Sequence, residues 1–192
     1  MKKTTVLFFS MLMACACFSQ HRISDTKTVA DSRYGDSLSV AAIPTPEELL
    51  VDILKATGIQ HNNFQIKSAD VLNIEATIHH KKRFIYYNPE FIRQLNVVTK
   101  SKWALATLLA HEVGHHLNGH TIKRSGSRVE LELEADEFAG FIMNKMGASL
   151  EEAQQVMFYV SRPSDSKTHP GQKKRVNAIK SGWEKANNPP TP

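Results

Sequence analysis

The sequence predicts an α+β fold that is mostly helical, with a small antiparallel sheet packed over one buried helix. Most of the chain shows helical spacing of apolar residues or helix-start signals, whereas two short runs alternate apolar with polar residues. With 192 residues, of which 41% are hydrophobic, the chain can bury one core. One domain with terminal extensions is therefore expected.

The first half of this domain should contain one helix and a hairpin. Residues 47–57 form an amphipathic pattern that ends at Gly58, which predicts a helix. Alternate residues of 73–78 share an apolar face, as a strand requires, and residues 83–87 form a second run of this kind. Residues 80–82 then make the hairpin turn.

The second half is predicted to be helical, and each helix has its own start or end signal. Residues 102–117 carry apolar side chains around most of the helix, which predicts that it is largely buried. The other helices are expected at residues 89–95 after the Asn88-Pro89 cap, at 127–147 and 149–160 after capping boxes that begin with Ser127 and Ser149, and from Pro170 onward.

Residues 1–19 have the layout of a secretory signal peptide. Two lysines precede an apolar run, residues 6–18, that is too short for a transmembrane helix. Cleavage before Cys15 would leave a lipid-anchored protein. Cleavage after Ala16 or Ser19 would give a soluble product, which is favoured because the apolar run continues past Cys15. The chain is therefore expected to be exported, either to the periplasm or as a secreted protein, with the membrane-anchored lipoprotein as the alternative.

The rest of the chain divides by composition. Residues 20–43 are polar and aperiodic and are interpreted as a flexible linker, residues 44–187 as the domain, and residues 188–192 as a disordered tail. Both cysteines lie in the signal segment, so a metal site in the domain would need histidine and carboxylate ligands. The formal charge of +5 is modest, and the basic run at residues 79–83 is interpreted as a solvated hairpin tip. No nucleic-acid partner is expected.

A metal-binding motif lies on the predicted buried helix: His111-Glu112-Val113-Gly114-His115, an H-E-x-x-H pattern. His111 and His115 are four residues apart, so their rings project from one face and can reach one ion. Glu112 would lie beside the open coordination position and act as general base in peptide-bond hydrolysis. Neutral imidazole suits Zn²⁺, and one zinc ion per chain is expected.

A zinc site of this kind needs a third protein ligand. The residues after the motif lack the glycine and histidine of metzincins, which excludes that arrangement. The next helix supplies two equivalent carboxylate pairs, Glu132 with Asp136 and Glu130 with Glu134, and each pair shares a helix face. Spacing does not choose between them, although the capping-box role of Glu130 favours the first pair.

With these residues the chain resembles the HtpX-like and CAAX-prenyl-protease-like zinc metallopeptidases, a gluzincin group with a zincin-like fold. The resemblance covers about residues 73–183. It is carried by the H-E-x-x-H motif, by the E-x-x-x-D spacing of Glu132 and Asp136, and by His169-Pro170 with Arg175. It implies that Glu132 is the third zinc ligand and that Asp136 orients a ligating histidine by binding its outer ring nitrogen.

The resemblance also implies a substrate-binding edge strand, which would hold the substrate backbone by strand addition. The matching positions are Asn73, Ile74, Glu75 and Ala76. Many relatives have transmembrane helices or a tetratricopeptide-like extension, and this sequence shows neither. Membrane-embedded or prenylated substrates are therefore not expected.

Four further residues receive provisional roles. His169 could stabilise the transition state, add a ligand or regulate the site, and the alternative is a plain histidine near a helix N-terminus. Arg175 could pair with Asp136, and the alternative is an ordinary surface arginine. His116 and His120 are assigned structural or solvent-facing roles and not metal binding.

The function expected from the sequence is a zinc-dependent metalloendopeptidase that cleaves envelope or secreted proteins, with protein quality control as the family-level expectation. Its partners would be protein or peptide substrates. One alternative is a catalytically silent, zinc-binding, chaperone-like envelope protein, and another is a metal-storing or metal-sensing protein. The presence of Glu112 argues against both, since neither needs a general base.

Overall fold

The structure, a computed structural model, describes residues 43–59, 63–122 and 128–188. Its elements in chain order are α1 (Pro46–Ala56), β1 (Phe64–Ser68), β2 (Ile74–His79), β3 (Lys82–Tyr87), α2 (Pro89–Thr99), α3 (Lys102–Leu117), α4 (Arg128–Lys145), α5 (Leu150–Gln155), α6 (Met157–Val160) and α7 (Gln172–Asn187). The predicted signal peptide with Cys15, the linker up to residue 42 and the tail from residue 189 lie outside the described residues.

The centre of the domain is α3, the helix that carries the H-E-x-x-H motif. Every residue from Ala104 to His116 is buried. A helix that is buried on all sides must be surrounded by other elements, and α1, α2, α4, α5 and the sheet pack against it. Ser101 caps its start by accepting a hydrogen bond from the Trp103 N–H. The motif therefore sits in the core and not on the surface.

The sheet is mixed and not antiparallel, so that part of the fold prediction is wrong. Its order is β1-β3-β2, in which the central strand β3 pairs antiparallel with β2 and parallel with β1. The sequence pattern does not predict β1, because Phe64 and Ile66 are too few apolar residues to establish a period. The sheet does lie over the helix that carries the motif, as predicted, since His116 Nε2 donates to the Phe84 carbonyl at 2.9 Å.

Several helix ends differ from the predictions. The predicted helix at 149–160 is interrupted at Val156, which separates α5 from α6. The helix after Asn88 runs to Thr99 and not to residue 95. The last helix begins at Gln172 and not at Pro170, and Gly171 is its N-cap. The Ser127 cap of α4 lies outside the described residues.

Helices α4 and α7 cross in backbone contact. A Cβ atom at Gly182 would overlap the carbonyl group of Glu137, and one at Gly140 would overlap the carbonyl group of Ile179. Glycine at both positions lets the two helix axes approach more closely than larger side chains would allow. This contact sets the distance between α4 and α7.

Among the helices within the described ranges, none combines the length and the apolar character that crossing a bilayer requires.

The α4–α7 contact predicts whether a glycine substitution raises or lowers the free energy of unfolding. In an unhindered helix Gly182→Ala would stabilise by about 1 kcal/mol, through helix propensity. Here the added methyl group should instead force the helices apart and destabilise the protein by about 2 kcal/mol or more. Urea unfolding of the variant measures this difference. Asn177→Ala, at an exposed position of the same helix, is the control, and a stabilised Gly182→Ala variant would contradict the close crossing.

Candidate metal centre

Two histidine rings of α3 meet at one point. His111 and His115 lie one helical turn apart, and their Nε2 atoms are 3.0 Å from each other. Both side chains are buried. Ring nitrogens that converge in this way, away from solvent, are arranged as two ligands of one ion would be.

Helix α4 brings a carboxylate to the same point. Glu132 Oε2 lies 3.5 Å from His111 Nε2, and Glu132 Oε1 lies 3.5 Å from His115 Nε2. Ligand atoms of these three residues all fall within 4.8 Å of one another. Burial raises the pKa of Glu132, but the two histidines lower it more, to well below its usual value. The carboxylate is therefore ionised.

The donor set fits a zinc ion. Two imidazole nitrogens and one carboxylate oxygen leave a fourth tetrahedral position open, as in catalytic zinc sites. Glu132 Oε2 is buried and has no hydrogen-bond partner in the described part of the chain. A buried carboxylate oxygen without a partner is costly unless a cation occupies the space beside it. The three residues could thus hold a metal ion.

Asp136 and Arg175 form a buried ion pair behind His111. Asp136 Oδ1 accepts from His111 Nδ1 at 2.8 Å, and Arg175 donates from Nε to Oδ2 and from Nη2 to Oδ1, each at 2.7 Å. Arg175 is 2% exposed, so it is not a surface arginine. Burial lowers the pKa of His111, but the charge of Asp136 outweighs it and raises the pKa. A more basic imidazole is a stronger metal ligand.

Glu112 is buried between α3 and the sheet. Its carboxylate accepts a hydrogen bond from the Ala76 backbone N–H, which places β2 beside it. Burial raises its pKa to about 8, with the charge of His111 opposing the rise and that of Glu132 adding to it. A carboxyl group with a pKa near neutrality can both take up and release a proton, as a general base and acid must.

The predicted substrate strand lies at the edge of the sheet. In the order β1-β3-β2, strand β2 has no neighbouring strand on its outer side within the described residues. Ile74, Glu75 and Ala76 belong to it, whereas Asn73 precedes it and its carbonyl accepts from the Asn88 N–H at 2.7 Å. Asn73 is therefore part of the connection and not of the strand.

His169 lies in the loop before α7 and is half-buried. Its Nδ1 is hydrogen-bonded to Thr168 Oγ1 at 2.8 Å. Burial lowers its pKa, and the charges of Glu132 and Arg175 act on its ring. The structure thus brings His169 into the electrostatic range of the site, at a greater distance than the three candidate ligands.

Sequence reasoning missed the place of His120. Both His116 and His120 were predicted to have structural or solvent-facing roles, and both are buried. His116 bonds to the sheet, but His120 Nδ1 lies 3.0 Å from His115 Nδ1. A spacing of five residues does not put two residues on one helix face, so the pattern gives no signal. The contact arises because Gly119, with a φ of 73°, turns the chain back after α3.

The buried ion pair predicts a large loss of stability on Arg175→Met. The variant leaves Asp136 buried without its cation, which should cost about 3–5 kcal/mol. The neighbouring Lys174→Met breaks only an exposed ion pair with Asp165, which should cost within about 1 kcal/mol. Denaturant unfolding of the two variants gives the comparison, and equal losses would contradict a structural role for the buried pair.

The pH dependence of stability should follow from the same pair. Burial raises the pKa of Asp136, but the charges of Arg175 and His111 lower it more. A carboxyl group whose pKa is lowered on folding contributes stability above its unfolded pKa of about 3.9, and this contribution is lost as the pH falls. The free energy of unfolding of the wild type, measured by urea unfolding at a series of pH values, should therefore fall more steeply on acidification than that of Arg175→Met.

Comparison with known proteins supports a family assignment. The model of peptidase family M48 matches residues 125–182. This segment contains Glu132, Asp136, His169 and Arg175, whereas the H-E-x-x-H motif lies before it. No curated protein and no solved structure gives a significant match. The predicted resemblance to HtpX-like metallopeptidases is confirmed by this match, which supports a zinc metallopeptidase of family M48.

Proposed function

We propose that the chain is a zinc-dependent metalloendopeptidase that hydrolyses peptide bonds in envelope or secreted proteins. The observation that carries the proposal is the convergence of His111, His115 and Glu132 within 4.8 Å, next to the buried carboxyl group of Glu112. A metal-storing site would have no use for Glu112, which is not among the converging ligands. The family match favours a peptidase over a silent zinc-binding protein.

In this proposal the ligands and the base have separate tasks. His111, His115 and Glu132 hold the ion, and Asp136 keeps His111 oriented through its Nδ1–H. Zinc, when bound, supplies a Lewis acid that polarises the scissile carbonyl and activates water. Glu112 takes a proton from the attacking water on its carboxylate and delivers it to the nitrogen of the leaving amine.

Strand β2 would position the substrate. Its outer edge lies beside Glu112, as the Ala76 N–H contact with that carboxylate shows. An extended peptide that adds to this edge would bring its scissile bond close to the base and the ion. In strand addition the affinity comes from main-chain hydrogen bonds, so a broad substrate range, as quality control of damaged proteins would need, is compatible with the site.

The proposal of envelope or secreted substrates assumes that the chain is exported. The proposal rests here on the N-terminal layout of two lysines followed by an apolar run at residues 6–18. A soluble periplasmic or secreted product is favoured over a lipid anchor at Cys15.

Glu112→Gln should separate zinc binding from catalysis. The variant keeps the shape of the side chain but loses the group that accepts the proton, so casein cleavage should fall about 10²–10⁴-fold at unchanged zinc content. Glu130→Gln makes the same charge change at an exposed position of α4 and should leave cleavage unaffected. Cleavage by Glu112→Gln at the wild-type rate would refute the mechanism. Zinc bound by the wild type without any cleavage would favour the silent binding protein.

We also propose that His169 stabilises the transition state, since it is half-buried within the electrostatic range of Glu132. His169→Ala should then lower kcat by about 10²-fold, as the loss of one oxyanion donor does, with zinc content unchanged. Lys167→Ala, at an exposed position of the same loop, is the control. A loss of zinc would identify His169 as a further ligand, and unchanged zinc and kcat would leave it a plain loop histidine.

A further inference from the structure

The two candidate histidine ligands, His111 and His115, contact different residues through their Nδ1 atoms. His111 Nδ1 bonds directly to the buried Asp136 carboxylate. The Nδ1 of His115 instead lies 3.0 Å from Nδ1 of His120. His120 is completely buried, and its backbone N–H donates to the His115 carbonyl at 2.9 Å. The turn at the end of α3 thus fixes the two rings against each other.

The second nitrogen of His120 leads to a carboxylate. His120 Nε2 lies 2.8 Å from Oε2 of Glu134, whose side chain is 54% exposed. Glu134 belongs to α4, the helix that also supplies Glu132 and Asp136. Helix α4 therefore supports both histidines, His111 directly through Asp136 and His115 through His120.

The positions of the protons follow from these contacts. A histidine that binds a metal through Nε2 is neutral and carries its one proton on Nδ1. His115 must then donate from Nδ1 to Nδ1 of His120, which must be an acceptor. The remaining proton of His120 is on Nε2 and is donated to Glu134 Oε2, which only accepts. Each donor faces an acceptor, and this arrangement gives both rings a defined tautomer.

We propose that His120, held by Glu134, is a positioning residue that fixes the tautomer and the ring orientation of His115 for metal binding. The inference rests on the proposed function, because it takes His115 to be a zinc ligand. Groups that hold the outer nitrogen of a ligating histidine orient the ring and increase its basicity. The alternative is a core histidine that contributes only to stability. His116 provides the comparison, since it is equally buried but bonds to a backbone carbonyl of the sheet.

Zinc affinity of the full chain, measured by competition with a chromophoric chelator, tests this role. His120→Leu removes the acceptor and should raise the zinc Kd about 10–100-fold. His120→Asn places an amide oxygen where Nδ1 lies and should stay within about threefold of the wild type. Glu134→Leu, at a half-exposed position, should weaken zinc binding in the same direction as His120→Leu. Glu130→Leu, one turn earlier on α4 and exposed, should leave the Kd unchanged.

A control variant separates positioning from stability. His116→Leu should lower the urea midpoint through the loss of a buried hydrogen bond, without the 10–100-fold rise in zinc Kd expected for His120→Leu. In the zinc-loaded wild type, the His115 Nδ1–H should give a slowly exchanging proton resonance, because it is buried and hydrogen-bonded. This resonance should be lost or exchange faster in His120→Leu.

Each outcome decides between the two roles. An unchanged zinc Kd in His120→Leu, or an equal loss in His120→Asn and His120→Leu, would overturn the inference. If His120→Leu does not fold, Glu134→Leu decides, and an unchanged Kd in that variant would overturn it. A wild-type protein that binds no zinc would instead refute the proposed function, which keeps the two failures distinct.

Discussion

Burial of acidic side chains is the constraint on which the arrangement of this domain depends. Helix α4 places Glu132 and Asp136 one turn apart on the face that packs against α3, and both are at most 4% exposed. An ionised carboxylate in a protein interior costs several kcal/mol unless a cation compensates for it. Asp136 is compensated by Arg175 of α7, the helix that packs in backbone contact with α4 at Gly140 and Gly182. Glu132 is approached by His111 and His115, each at 3.5 Å, and a metal ion held by the three residues would compensate its charge.

Three buried carboxyl groups, those of Glu112, Glu132 and Asp136, differ in pKa because their surroundings differ. The pKa of Glu132 and that of Asp136 are lowered by neighbouring positive groups, although burial alone would raise them. The pKa of Glu112 is raised, because burial dominates and its nearest charges partly cancel. Groups whose pKa values are pushed apart in this way take different roles. The two lowered groups stay charged and hold partners in place, whereas Glu112 can exchange a proton near neutral pH.

The elements that could be predicted are those with local signals. The bounds of α3 and the i,i+4 spacing of the histidines follow from the sequence, because both depend on helical periodicity and end signals. Spacing left Glu130 and Glu134 as an equal alternative to Glu132 and Asp136, and only the resemblance decided between them. In the structure Glu132 approaches the histidines, and Glu130 is exposed.

What the sequence could not predict depends on contacts between distant segments. The parallel pairing of β1 with β3 cannot be seen in a five-residue strand. The contact of His120 with His115 depends on the backbone turn at Gly119, and the helical spacing rule does not extend past it. The closeness of α4 and α7 depends on two glycines that are unremarkable in the sequence and matter only when another backbone faces them.

The position of Arg175 along the chain has a consequence for the order of events during biogenesis. It lies 39 residues after Asp136, on the last helix of the domain. When a chain emerges from its N-terminus, whether from the ribosome or from a translocation pore, α3 and α4 appear before the cation that one of their buried acids requires. The ligands then cannot settle into their final geometry until α7 has arrived. Of the residues that surround the candidate metal site, Arg175 is thus the last to be synthesised.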